Sequence, residues 1–202
     1  MVCTIISEPR SGSSHLIDWI RVAIPNFVAC PEPWLNQQSE FKTNGKDISY
    51  VDWIDDFNNI FIKEIFYEHE DYTNLLNKSE KVICLYRENW YSQIRSLLFQ
   101  ERQNGFLFNY EKKEVDKIIT EEMILEKYKL HHIHHKKTFQ DFILKNNLVS
   151  ISYEELYYGN GLEKFKNHFN IVSNLKFPLY ERHLKDDGKE VGLEKLPIKK
   201  LI

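Results

Sequence analysis

Apolar and polar positions along the chain change period several times. Residues 2–7, VCTIIS, are a short β-branched apolar run closed by Pro9 and Gly12, as expected of a buried parallel strand. Over residues 13–24 the period becomes helical: Leu16, Ile17, Ile20 and Ile24 recur behind an opening pair of serines. Residues 25–58 keep no period, with Pro25, Pro31 and Pro33 as breakers. Strand patterns return at 60–67, IFIKEIFY, and most clearly at 81–86, KVICLY. Helices are predicted over 89–103 and 120–146, the second interrupted at its histidines. LVSIS at 148–152 is a fourth strand, 160–169 a short helix, and 170–202 a C-terminal tail. No self-similarity appears at solenoid periods.

Strands alternating with helices predict an α/β fold of three layers, a mostly parallel central sheet flanked by helices. The 202 residues fit a single domain, 1–202, with 25–58 as an irregular region. Ligands of such sheets bind beyond the carboxyl ends of the strands. That rule puts the hinge at 8–14, the segment from Arg87 and the segment from Tyr153 at one edge.

Composition adds mainly exclusions. With 42% hydrophobic and 28% charged residues the chain is not a disordered one. A net charge of -3 gives no global basic field for nucleic acid. No apolar stretch approaches the roughly 20 residues of a membrane span, and no basic segment precedes an apolar leader; an intracellular, cytoplasmic setting is expected. The three cysteines match no zinc spacing. Cys3 and Cys84, inside strands, read as small hydrophobes; Cys30, in a loop, is assigned nothing.

The hinge PRSGSS, residues 9–14, joins a strand to a helix start, where unpaired backbone N–H groups and the helix dipole favour an anion. Gly12 permits close backbone approach. Ser11, Ser13 and Ser14 add hydroxyl donors, and Arg10 adds a forked cation. It is not a Walker A loop, since GxxxxGK[ST] is absent. A plain strand-to-helix turn with a serine cap has the same pattern, so the hinge alone leaves both readings open. After KVICLY, Arg87 ends the strand and Ser96 follows nine residues later on a helix, with Gln93 on the same face. Arg87 and Ser96 then clamp one phosphate from two sides, or the segment is a solvated helix start; Arg95 is an alternative cation. SYEEL at 152–156 ends a strand and opens a helix with two acids.

Together and in this order, these segments resemble the sulfotransferases, which transfer a sulfonate from 3'-phosphoadenosine 5'-phosphosulfate (PAPS) to a hydroxyl or amine. The family's 5'-phosphosulfate loop is like PRSGTT or PKSGTT, its 3'-phosphate site is a strand-end Arg followed by a helical Ser, and a later strand ends in YEDL or a variant. The resemblance covers roughly residues 2–170 and implies the P-loop NTPase-like sulfotransferase architecture. It places Arg10 beside the bridging oxygen of the phosphosulfate and Ser11, Gly12, Ser13 and Ser14 around the 5'-phosphate. Arg87 and Ser96 fall on the 3'-phosphate pair, and Tyr153 beside the nucleotide.

The resemblance implies a catalytic base: some branches of the family use a glutamate after the first helix, where ACPEPW offers Glu32, and others a histidine at the end of a middle strand, where IFIKEIFYEH offers His69; the distance from the Arg10 loop and the local sequence favour Glu32. The implied reaction is in-line sulfonate transfer without a metal, with 3'-phosphoadenosine 5'-phosphate (PAP) as product and a small molecule, glycan or peptide as acceptor. Three features depart from the family pattern. His15 stands where an apolar residue is usual, which suggests a different helix start. No Arg-Lys-Gly segment follows among Arg182, Lys185, Lys189, Lys199 and Lys200. The chain is also short for the family, which implies an acceptor site that is reduced, open to a large substrate, or completed by a partner, including a second copy.

LHHIHH at 130–135 puts His131 and His135 at metal-ligand spacing, but no further ligand is written nearby, and titrating helix positions are the expected reading. Trp34 and Trp53, in the irregular region, suit either an acceptor pocket or packing under a long loop. Two other functions carry the same cradle: a P-loop-like nucleotide kinase, and a non-catalytic nucleotide-binding module.

Overall fold

In a computed structural model the described residues are 1–33, 42, 43, 46, 47, 50–102 and 119–177. Five parallel strands form the central sheet in the order β2-β5-β1-β6-β7. They are β1 (Val2–Ser7), β2 (Val28–Pro31), β5 (Ile60–Ile65), β6 (Lys81–Tyr86) and β7 (Val149–Ser152). Strands β3 (Lys42–Thr43) and β4 (Lys46–Asp47) pair separately as an antiparallel ribbon.

The sheet is an α/β sheet covered on both faces. Alternation along β1 sends Cys3 and Ile5 to one face, where they meet Leu16, Ile17, Trp19 and Ile20 of α1 (Ser13–Ala23) and Phe165 and Phe169 of the last described helix, Gly161–Phe169. Ile6 goes to the other face with Ile60, Ile62, Cys84 and Phe139. That face packs against α2 (Tyr50–Ile54), α3 (Thr73–Lys78) and the helix carrying Phe139. A third cluster joins Ile94, Leu98 and Phe99 of α4 (Trp90–Arg102) to Ile124 of α5 (Glu121–Lys127).

Strand β2 lies inside the stretch that shows no period in sequence, and it includes Cys30, expected in a loop. It is an edge strand, where Pro31 costs no ladder bond, and its residues are only partly buried. Helices α2 and α3, of five and six residues, are too short to show a helical stripe. The strand predicted over 60–67 ends at Ile65. Burial pushes the Cys3 thiol up to about 12 and Cys30 to about 11, and raises Cys84 further. The predicted helix over 120–146 is one rod: α5, a π-helical turn Tyr128–His132, and α6 (Ile133–Lys145). The interruption therefore falls on the histidines. Trp34 and the cationic tail residues Arg182, Lys185, Lys189, Lys199 and Lys200 lie outside the described residues.

Candidate functional site

The hinge leaves β1 with Glu8, whose N–H donates to the Leu85 carbonyl at 2.9 Å. Arg10 then takes a left-handed backbone (φ 61) and Gly12 another (φ 78). At Gly12 this conformation suits glycine, and space demands it too. A Cβ there would stand 2.8 Å from Tyr153 Cδ2 and 2.9 Å from Tyr157 Cε2. The loop thus lies against two tyrosine rings before α1 begins at Ser13, aiming the helix N-terminus outward from the sheet edge.

Ser11 is fully buried, and its Oγ has no hydrogen-bond partner among the described residues. Ser13 Oγ stands 3.0 Å from Ser7 Oγ, and Ser14 is exposed. His15 does not displace the helix start. Its Nδ1 pairs with the Tyr157 hydroxyl at 2.9 Å, and burial, aided by Arg10 and opposed by Asp18, lowers its pKa.

Glu8 joins this hinge to the next segment. It is fully buried, and its Oε2 accepts the Arg87 backbone N–H at 3.0 Å and Gln93 Nε2 at 3.2 Å. Gln93 Nε2 also donates to the Pro9 carbonyl at 2.8 Å. The Arg87 guanidinium lies 4.3 Å from the centre of the Tyr153 ring, a cation–π distance. Its Nη1 donates to the Arg10 carbonyl at 3.4 Å, and its Nε stands 4.0 Å from Glu154 Oε1. Glu154 in turn accepts the backbone N–H groups of Glu88 and Asn89 at 2.9 and 3.0 Å. It opens α7 (Tyr153–Tyr158), whose start carries a complete capping box between Ser152 and Glu155.

The Arg10 side chain crosses to α4, where Nε donates to Ser96 Oγ at 2.8 Å and Nη1 to Gln100 Oε1 at 3.5 Å. The hinge, Arg87, Ser96 and Tyr153 are therefore one constellation at the carboxyl ends of β1, β6 and β7. Lys136 brings a further cation, its Nζ donating to the Arg87 carbonyl at 2.6 Å.

Glu32 stands beyond the end of β2 with a left-handed backbone (φ 51). Its N–H donates to the Lys63 carbonyl at 2.6 Å, and its carboxylate pairs with the Lys63 ammonium. The Lys63 side chain is 1% exposed. Burial lowers the Lys63 pKa; Glu32 opposes that and Arg10 adds to it. Four non-glycine residues have positive φ among the described residues. Arg10 and Glu32 are two of them, and such backbones concentrate at functional sites. His69 is exposed in the turn beyond β5.

Three participants escape a reading of the sequence: Glu8, Lys63 and Glu154. An acid between a strand and a turn reads as solvated, and Glu154 reads as a helix-opening acid. Lys63 with Glu64 did leave a signal, two charges inside an apolar strand. Both side chains are almost fully buried.

In the rod that carries Lys136, His132 is buried in the π-helical turn. Burial lowers its pKa to about 4, with Lys136 and His135 adding to the shift. Glu68 pairs with His134 Nε2 at 3.1 Å and His135 Nδ1 at 3.5 Å. Among the described residues no three His, Cys, Asp or Glu side chains are grouped to hold a metal ion. Trp53 packs on Phe57, ring centres 4.8 Å apart.

No protein-family model matches this chain. No curated protein matches it either. Among solved structures it is similar to a mouse sulfotransferase, SULT7A1, complexed with PAP. The TM-score is 0.57 at 19% identity, over 86% of this chain and 60% of that one. The chain thus has the sulfotransferase fold and spans less than two thirds of that protein's length.

Proposed function

We propose that this chain is a sulfotransferase that takes the sulfonate of PAPS and passes it to a hydroxyl or amine. The observation that carries the reading is the contact between Arg10 and Ser96. It brings the hinge and the helix that follows Arg87 to one place, an arrangement that suits a ligand with two anionic groups. The neighbour's bound PAP is such a ligand.

The residues present fit that ligand. The hinge offers backbone N–H groups at a helix start, the buried Ser11 hydroxyl and a glycine pressed on aromatic rings. Arg87 and Ser96 would take the 3'-phosphate, with Tyr153 holding the guanidinium in place. PAPS supplies an activated sulfonate whose leaving group is a phosphate oxygen. Arg10 and the hinge N–H groups would stabilise the charge that grows there, and fixed positions of both reactants do much of the rest. Glu32, paired with Lys63, is the first candidate for the base; exposed His69 is the second. The three cysteines, all unpaired, support a reducing, cytoplasmic setting.

The test is calorimetric titration with PAP and, separately, ATP, without added metal, on wild type and Arg87→Ala. Tight PAP binding, weak ATP binding and at least tenfold loss in the variant are expected. Equal or tighter ATP binding would replace the reading with a nucleotide kinase. Unchanged PAP affinity in the variant would remove Arg87 from the site.

A further inference from the structure

The histidine-rich stretch ends in two lysines, Lys136 and Lys137, and the fold treats them differently. His132, Lys136 and Phe139 are four and three residues apart, so they share one face of the rod. His132 and Phe139 are buried there; Lys136 is half-buried and Lys137 exposed. Phe139 packs into the cluster under the sheet, which keeps that face turned inward. The Lys136 side chain runs to the carboxyl end of β6, where Nζ donates to the Arg87 carbonyl at 2.6 Å.

That carbonyl belongs to a peptide unit held at both edges. The peptide between Arg87 and Glu88 is planar, and in a trans peptide the C=O and N–H point in opposite directions. Lys136 holds the C=O. At the other edge the Glu88 N–H donates to Glu154 Oε2 at 2.9 Å. A cation thus meets the negative end of the peptide dipole and a carboxylate the positive end, and such charge-assisted bonds are the strong ones. The preceding peptide is held as well, through the Arg87 N–H and Glu8 Oε2 at 3.0 Å. Fixing both planes fixes φ and ψ of Arg87, and with them the direction in which its side chain leaves the backbone. The guanidinium then lies 4.3 Å from the centre of the Tyr153 ring. Arg87 stands one residue beyond β6, where the strand's ladder has ended, so charged side chains from β1's end, α6 and α7 take the ladder's place.

We infer that Lys136 is a positioning residue for the 3'-phosphate, acting through the Arg87 carbonyl rather than on the ligand; this rests on the sulfotransferase reading. It sets how well the chain tells a nucleotide with a 3'-phosphate from one without. Without the ammonium, the Arg87–Glu88 peptide keeps only its Glu154 edge and can turn about it. The guanidinium keeps its charge and loses its aim. The 5' end of the ligand is held by the hinge and the start of α1, so discrimination falls while binding of the 5' end does not.

The experiment is calorimetric titration with PAP and with 5'-AMP, which lacks the 3'-phosphate. The proteins are wild type, Lys136→Met, Lys136→Arg, Arg87→Ala and the double variant of Lys136→Met with Arg87→Ala. Lys136→Met keeps the aliphatic stem and removes the donor. Its PAP affinity is expected to fall about tenfold, the scale of one hydrogen bond to a charged group, with 5'-AMP affinity unchanged. Lys136→Arg returns a charged donor and should recover most of the loss. In the Arg87→Ala background the lysine change should cost nothing further, because both act on one contact. Unchanged PAP affinity in Lys136→Met overturns the inference. So do equal losses for PAP and 5'-AMP, which a general field or a loosened edge would give, and so do additive losses in the double variant. A wild type that fails to bind PAP, or binds it no better than 5'-AMP, overturns the sulfotransferase reading instead.

Discussion

Glu8 is the residue on which the two halves of the site meet, and its removal has a calculable cost. In Glu8→Ala the buried Arg87 N–H loses its acceptor, and an orphaned buried donor costs about 1–3 kcal/mol. Gln93 loses one of two bonds but keeps the Pro9 carbonyl, so its loss is nearer the net value of a hydrogen bond, about 1 kcal/mol. Relief from burying a carboxylate whose Oε1 has no partner among the described residues offsets part of this. A net destabilisation of about 2–3 kcal/mol is expected. Urea unfolding followed by tryptophan fluorescence should show it as a lower midpoint at unchanged slope. Gln93→Leu should cost about 1 kcal/mol, and the double variant should fall short of the sum, because both remove one shared bond. Glu8→Ala within about 0.5 kcal/mol of wild type, or strict additivity, would refute the tether; the Arg87 amide would then need no carboxylate.

Two further perturbations test neighbouring features. Gly12→Ala must place a Cβ 2.8 Å from the Tyr153 ring at φ 78; a left-handed alanine alone costs about 1–2 kcal/mol, so PAP affinity should fall at least tenfold in calorimetry, and retained affinity would mean the hinge is not a close-fitting cradle. His132 has a folded pKa lowered to about 4 from 6.5, so the unfolded chain binds the extra proton between these values. Stability from this residue is complete above pH 6.5 and falls as pH drops toward 4. Wild type should lose on the order of 2 kcal/mol more than His132→Gln between pH 7 and 4.5 in urea titrations; equal losses would show that His132 does not titrate as a buried neutral group.

Much of the architecture was legible in the chain because burial writes itself into local pattern. β1 and β6 are central parallel strands, so their apolar runs are nearly continuous, and α1 packs one face and shows it as a stripe. The hinge as a candidate anion site was legible for a similar reason: a glycine between a strand and a helix start leaves backbone N–H groups open, and Arg87 and Ser96 follow at a spacing set by one strand end and one helix. β2 was hidden because an edge strand is half buried and tolerates proline.

Tertiary structure alone decided which charges meet. Glu8 reaches Arg87 and Gln93 only because β1 and β6 are neighbours in the sheet. Glu32 finds Lys63 because β2 pairs with β5, although the two lie far apart in the chain. His135 acquires Glu68 when α6 crosses the end of β5, and Tyr153 becomes the floor beneath both Gly12 and Arg87. Local pattern records whether a position is buried, since every residue answers to the same solvent. A partner is chosen by strand order and helix placement, which arise from the whole chain packing at once.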